Sequence, residues 1–253
     1  MTYEFKETVM PNTQSKTKTM SRRRALLGGG AALTGAAALA TPAISQGTPQ
    51  TIRMATSWPA GLGGLADSAA RVAEGINAAS NGRLNVEIYW AGSLVPPLGV
   101  HDAASAGEIE MYHSAEYYFQ GKHRGFNFFT TVPLGLTSVE QAAWVKYGGG
   151  QALWDELNAE YGVKSLAVGG TGVQMGGWFN KEITSKDDFE GLTMRMPGLG
   201  GQVIAQMGAN AVVLPGGGIV EALFEGTIDA TEWVGPYNDL QFGFQKLLST
   251  YIY

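Results

Sequence analysis

The sequence predicts an α/β fold in two lobes, on three observations. Strand-like runs that alternate with period two are separated by runs with helical spacing. The chain has 253 residues, 45% hydrophobic and 15% charged, which is enough for more than one core. A third sign is internal: Gly107, Ile109, Glu110 and His113 fall in register with Gly226, Ile228, Asp229 and Glu232, each run following a helix that ends at the glycine. Two related lobes, each with a strand whose carboxyl end presents a polar residue, set a cleft where open α/β sheets bind ligands.

The first element is an address. Ser21-Arg22-Arg23-Arg24-Ala25-Leu26-Leu27 leads into a small, uncharged, apolar run from Gly28 to Ala40, in the form of a twin-arginine export signal with cleavage after Ala40 or near Ala43-Ile44-Ser45. Removing residues 1–45 takes six basic and two acidic side chains, moving the formal charge from −5 to −9. Such a body is a poor partner for nucleic acid or anionic lipid, so an anionic ligand needs a specific buried cation. Cysteine is absent, which excludes disulfides, thiolate metal sites and a cysteine nucleophile. No window in the last two hundred residues or so is long and apolar enough to cross a bilayer.

After the signal, Thr51 to Ser57 alternates as a strand and stops at Trp58-Pro59. Leu65, Ala69, Val72, Ala73 and Ile76 then recur at helical spacing, and Leu84, Val86, Ile88 and Trp90 alternate again. Strand, helix, strand predicts parallel pairing. A short helix around Leu98 to Ala106 feeds a strand at Gly107 to His113. An aromatic stretch, Tyr117 to Phe129, and helices at Val139 to Tyr147 and Leu153 to Tyr161 come before the second lobe.

That lobe is expected to start with a strand at Val163 to Val168, running into the glycine-dense Gly169 to Gly177. A phosphate-cradling loop is disfavoured, because strand-like Trp178-Phe179-Asn180 follows where a helix N-terminus is needed. The glycines suit close backbone approach that stands Gln174 in a tight cleft. Leu192 to Pro197 reads as a strand with Arg195 among methionines. Two uses fit that arginine: pairing with a carboxylate such as Glu232, or clamping a ligand carboxylate with two parallel hydrogen bonds. A helix from Gly198, a strand at Asn210 to Leu214, a Gly216-Gly217-Gly218 turn, a helix over Val220 to Phe224 and a strand from Ile228 follow. Glu232 and Trp233 stand at the end of that strand, which Gly235-Pro236 closes.

The runs Gln174-Met175-Gly176-Gly177-Trp178-Phe179, Met194-Arg195-Met196-Pro197-Gly198-Leu199-Gly200-Gly201 and Gly226 through Pro236 together resemble the substrate-binding proteins of tripartite ATP-independent periplasmic (TRAP) transporters, in the branch that binds 2-oxo and 2-hydroxy acids. The resemblance runs from Thr51 to about Lys246. It implies a two-lobed periplasmic solute-binding fold, with a signal at 1–45, lobe I at 46–146, lobe II at 147–236 and a return toward lobe I beginning at 237–253. It implies that Arg195 holds the ligand carboxylate, and that Na⁺ or Ca²⁺ bridges ligand and protein through Gln174, Glu232 and the main-chain carbonyl of Trp233. Tyr118 and Trp58 are further ligand-contact residues on the same resemblance. The implied partners are a small monocarboxylate, with pyruvate, longer 2-oxo acids, lactate and related hydroxy acids all open, and a TRAP-type membrane permease.

Two departures accompany it. The family usually carries an acidic residue where Gly218 stands, and its members continue beyond the point where Leu247 to Tyr253 replaces the pattern, as in a C-terminally truncated product with exposed helix and strand faces. Other classes remain: an exported oxidoreductase or lyase, or an inactive truncated product. Against catalysis, His101, His113 and His123 are the only histidines and none stands beside Gln174, Arg195 or Glu232 in these motifs.

Overall fold

The computed structural model describes residues 48–248 and 251–253, and the expected export signal lies outside them. The body begins with β1 (Gln50–Thr56), α1 (Leu65–Ala79), β2 (Leu84–Tyr89), α2 (Val100–Ser105) and β3 (Met111–His113), in a parallel sheet of order β2-β1-β3. The alternation of β1 sends Met54 to one face, packed with Ala69, Ala73 and Val86, and Ala55 to the other, packed with Val100, Ala103, Ile109 and Phe126. Both faces are covered, as a parallel sheet requires.

A connecting region follows, with 3-10 helices at Glu116–Phe119 and Arg124–Phe129 and then α3 (Ser138–Tyr147) and α4 (Gly150–Ala159). Leu157 and Tyr161 pack back onto the first sheet's apolar cluster. The second sheet is built from β4 (Trp178–Phe179), β5 (Thr193–Arg195), α5 (Gly198–Gln206), β6 (Asn210–Val212), α6 (Gly216–Phe224) and β7 (Ala230–Thr231). It is followed by α7 (Pro236–Phe242), α8 (Phe244–Leu247) and β8 (Tyr251–Ile252). Its order is β6-β5-β7-β4-β8, with β6-β5-β7 parallel and β4 antiparallel to both neighbours.

The two sheets repeat one another. Each βαβαβ run has the same order, with its first strand in the middle. Gly107 and Gly226 have φ of 73° and 70°, the left-handed conformation that ends a helix without steric cost. Each is followed by the same closing bond, Glu108 N–H to the Ala103 carbonyl at 2.8 Å and Thr227 N–H to the Ala222 carbonyl at 2.9 Å. In the first unit the Glu110 carboxylate accepts from the Arg53 N–H at 2.9 Å. Asp229 does the same for Thr193 at 2.9 Å. The register noted between residues 107–113 and 226–232 is therefore a structural equivalence that makes His113 the counterpart of Glu232.

Three local expectations are corrected. Val163 to Val168 forms no strand: among the described residues no neighbour offers it a ladder, and Leu166 and Val168 stay 62% and 50% exposed. Its Ser165 is instead tied down by side chains, the carbonyl accepting from Gln151 Nε2 at 2.9 Å and the hydroxyl donating to Glu116 at 2.9 Å. Gly216 to Gly218 is not a turn but the first turn of α6, entered from Pro215 in an extended conformation. The strands at Gly107–His113 and Ile228–Gly235 shrink to Met111–His113 and Ala230–Thr231.

An apolar cluster joins the two units. Trp58, Leu62 and Ala66 from the first pack with Trp178, Ile219, Ile228, Trp233, Val234 and Phe244 from the second.

Candidate functional site

β5 delivers Arg195 to the carboxyl end of the second sheet, fully buried. Parallel pairing aligns Arg195 with Thr231, so Glu232 leaves β7 beside the guanidinium, its N–H bonded to the Arg195 carbonyl at 3.1 Å. Nε donates to the Leu214 carbonyl at 3.2 Å, and Nη1 donates to the Glu232 carbonyl at 2.7 Å and to Glu232 Oε2 at 3.0 Å. Nη2 donates to the Tyr118 hydroxyl at 3.2 Å, and the Trp233 ring lies 5.1 Å from the guanidinium carbon. Four of the five N–H groups of Arg195 are thereby engaged. The carboxylate is less well served. Glu232 Oε1 is buried with no hydrogen-bond partner. Burial, which the Arg195 charge only partly offsets, pushes this carboxyl up to about 7.

The turn after β7 is held from three sides. Asp239 on α7 accepts from the N–H groups of Val234 and Gly235, both at 3.0 Å, and from Trp178 Nε1 at 2.8 Å. Gln174 reaches it from the glycine-dense loop, its Nε2 donating to the Trp233 carbonyl at 3.1 Å, while the Met175 N–H meets the Val234 carbonyl at 2.9 Å. From α6, Gly216 gives the Trp233 indole its seat: a Cβ there would stand 2.6 Å from the ring. Gly177 carries the close approach expected of the loop, since at φ 143° its Cβ would lie 2.7 Å from the Met194 methyl and 2.9 Å from the Thr231 carbonyl. β4 follows the loop, and no helix N-terminus is there to hold a phosphate.

Tyr118, half-buried on the 3-10 helix at Glu116–Phe119, brings the first unit to Arg195. Its neighbour Tyr117 lies against Gly198, where φ is 66° and a Cβ would be 3.1 Å from the tyrosine. Trp58 is 2% exposed and shares the apolar cluster with Trp233, and its Nε1 has no partner. Arg195, Glu232, Trp233, Gln174 and Tyr118 thus meet through direct contacts, and Trp58 joins them through packing. Among the described residues no group of three or more His, Asp or Glu side chains gathers as a metal centre. What the site offers is a buried guanidinium with oxygen ligands around it, a setting for an anion.

The model of bacterial extracellular solute-binding protein family 7 matches residues 64–253. The chain belongs to that family. The match runs on to residue 253, past Lys246, where the sequence resemblance was expected to end. This family 7 chain is 47% identical over 217 residues to a monocarboxylate 2-oxoacid-binding periplasmic protein of Nostoc sp., covering 84% of this chain and 58% of that one. Among solved structures it is similar to a TRAP periplasmic solute-binding protein of Pseudoalteromonas atlantica with bound sodium and pyruvate, at 43% identity and a TM-score of 0.78, covering 81% of this chain and 62% of that one. One from Colwellia psychrerythraea with bound calcium and pyruvate matches at 42% identity and a TM-score of 0.76, over 79% and 61%. The family 7 chain therefore spans less than two thirds of the length of each of these relatives.

Two residues around this candidate site of the family 7 chain escape a reading by motif. Asp239 builds the Glu232 turn, and only its place in the first turn of a helix opened by Pro236 hints at that. His113, set aside with the other histidines, is buried edge-on against Trp58 with ring centroids 5.0 Å apart. Its Nε2 lies 3.4 Å from Ser68 Oγ and its Nδ1 has no partner. The register with Glu232 is the signal that could have found it.

Proposed function

We propose that the protein captures a small monocarboxylate, a 2-oxo or 2-hydroxy acid of the size of pyruvate or lactate, together with a cation in the cleft between its two βαβαβ lobes, for a TRAP-type permease. The observation that carries this reading is Arg195: wholly buried at a strand end, with one N–H still free and a carboxylate beside it. Family membership supports a binding role over the oxidoreductase or lyase reading. Residues 1–45 fit export by the twin-arginine route to the periplasm. Tyr118, Trp58 and Trp233 form the remainder of the proposed contact surface.

The residues fit a hard cation. Glu232 Oε1 is buried without a partner, the Trp233 carbonyl faces the Gln174 amide, and that amide presents its oxygen once turned over. Such an all-oxygen set suits Na⁺ or Ca²⁺, and sodium and calcium accompany pyruvate in the two solved relatives. A cation there would supply positive charge between the Glu232 and ligand carboxylates, which at about 4 Å and an effective dielectric near 20 repel by roughly 4 kcal/mol.

Calorimetry with pyruvate and lactate in sodium chloride, in calcium chloride and in choline chloride with chelator tests the proposal. Binding is expected in the first two and weak in the third. Arg195→Lys keeps the charge but loses the fork, and should bind about thirtyfold more weakly, a loss of roughly 2 kcal/mol. Unchanged affinity in the lysine variant removes Arg195 from the site.

A further inference from the structure

We propose that Glu232 is an internal stand-in for the ligand carboxylate: it occupies Arg195 when the site is empty and is exchanged onto the cation when ligand is captured. The inference rests on the carboxylate-and-cation reading above.

An incoming carboxylate needs two neighbouring N–H groups for a forked clamp. At the Nη end of Arg195 it finds one free on Nη2, because the other goes to Tyr118, and the rest are taken. The bonds to the Leu214 and Glu232 carbonyls are main-chain contacts whose positions follow from the pairing of β5 with β6 and β7. Two bonds go to side chains that can turn away without moving a strand, Nη2 to the Tyr118 hydroxyl at 3.2 Å and Nη1 to Glu232 Oε2 at 3.0 Å, and of these two acceptors only the carboxylate is repelled by an incoming anion. Glu232 is therefore the group that yields.

Its geometry suits an exchange. It meets Arg195 through one oxygen, while the other is buried with nothing to bond. A purely structural ion pair at full burial engages both oxygens or adds donors, because an unmatched carboxylate oxygen in low dielectric is costly. The bond that the Arg195 side chain donates from Nη1 to the Glu232 main-chain carbonyl, at 2.7 Å, already joins the two segments without the carboxylate. Gln174 and the Trp233 carbonyl meet at 3.1 Å next to Glu232 in the chain, so an alternative oxygen-lined position is close by.

The consequence is a change of sign. Without cation, the Glu232 carboxylate competes with the ligand for Nη1. With cation, the same carboxylate supports the ligand by holding the ion. Glu232→Gln is tested by titrating pyruvate into wild type and variant in choline chloride with chelator, and again in sodium or calcium chloride, with melting curves to establish that both fold. The expected result is a crossing: the variant binds roughly fivefold or more tighter than wild type in chelator, and more weakly by at least that factor with cation. If Glu232→Gln does not melt cooperatively, Glu232→Asp carries the test, since one methylene less withdraws the carboxylate from Nη1, and a gain in chelator is again expected. A wild type that needs cation, with variants weaker in both media, overturns the exchange and leaves the proposed function standing. A wild type that binds equally well in both media overturns the cation reading, and the exchange falls with it.

Discussion

His113 is a case where burial sets the charge of a side chain. Packed edge-on against Trp58 and 8% exposed, its imidazole is pushed by burial down to about 4. The unfolded chain holds this histidine near its ordinary value, so between the two the unfolded state binds more protons. Its contribution to stability is complete above about 6.5 and is lost as the pH falls through about 4, a change of roughly 3 kcal/mol at most. Glu116, Glu232 and Asp239 are all raised by burial and act with the opposite sign, losing stability as the pH rises through their folded values. The difference between wild type and His113→Gln isolates the histidine. Denaturant unfolding at pH 7 and pH 4.5 should show the wild type losing more stability than the variant, and parallel losses would mean that His113 is not held neutral. Nothing in composition or spacing reveals this, because desolvation is a property of the finished packing.

At the scale of elements, three consecutive glycines are not equivalent. Gly216 is buried under the Trp233 ring, whereas a Cβ at Gly217 or Gly218 would meet nothing within 4 Å. Gly216→Ala should cost about 1–3 kcal/mol, because the indole beside Arg195 must move. Gly217→Ala should gain up to about 0.5 kcal/mol from backbone entropy. Gly218→Glu should gain about 0.3–1 kcal/mol from a negative charge in the first turn of α6. Thermal melts of the three variants check the order, and a stable Gly216→Ala would show that Trp233 is not fixed by that contact. The sequence makes the helix visible from Val220 onward, since helical spacing needs side chains to declare it. Its first turn, all glycine, carries no such signal and reads as a loop.

For the whole molecule, the site belongs to neither unit alone. Tyr118 from the first unit accepts from Arg195 of the second, Gln202 donates to Gln120 at 2.7 Å, and Asn238 and Gln241 on α7 bond the backbone of Gly63 at 2.6 and 2.8 Å. Removing one acceptor from a buried guanidinium is felt across that boundary. Tyr118→Phe should lower the unfolding free energy of the ligand-free protein by about 1.5 kcal/mol. Denaturant titration followed by tryptophan fluorescence measures it, and an unchanged midpoint would mean that the hydroxyl does not couple the units.

Local patterning was enough for most of the order of elements in the two βαβαβ runs. Period-two runs such as Leu84 to Trp90 and the Ala69–Ala73 spacing depend only on which face of a strand or helix is apolar, and the left-handed glycines at 107 and 226 end their helices for reasons internal to a few residues. The motifs also identified Gln174, Arg195, Glu232 and Trp233 as one group. Which groups Arg195 meets was left open by the sequence, and the fold supplies them: the guanidinium donates to the Glu232 carboxylate, 37 positions away, and to Tyr118, 77 positions away. The same holds for Val163 to Val168, whose strand-like composition finds no neighbour to pair with among the described residues, and for Asp239, which accepts from Trp178 61 positions away. A strand, an ion pair and a satisfied carboxylate each need a partner, and the chain's own order says nothing of which partner arrives until the two sheets have packed.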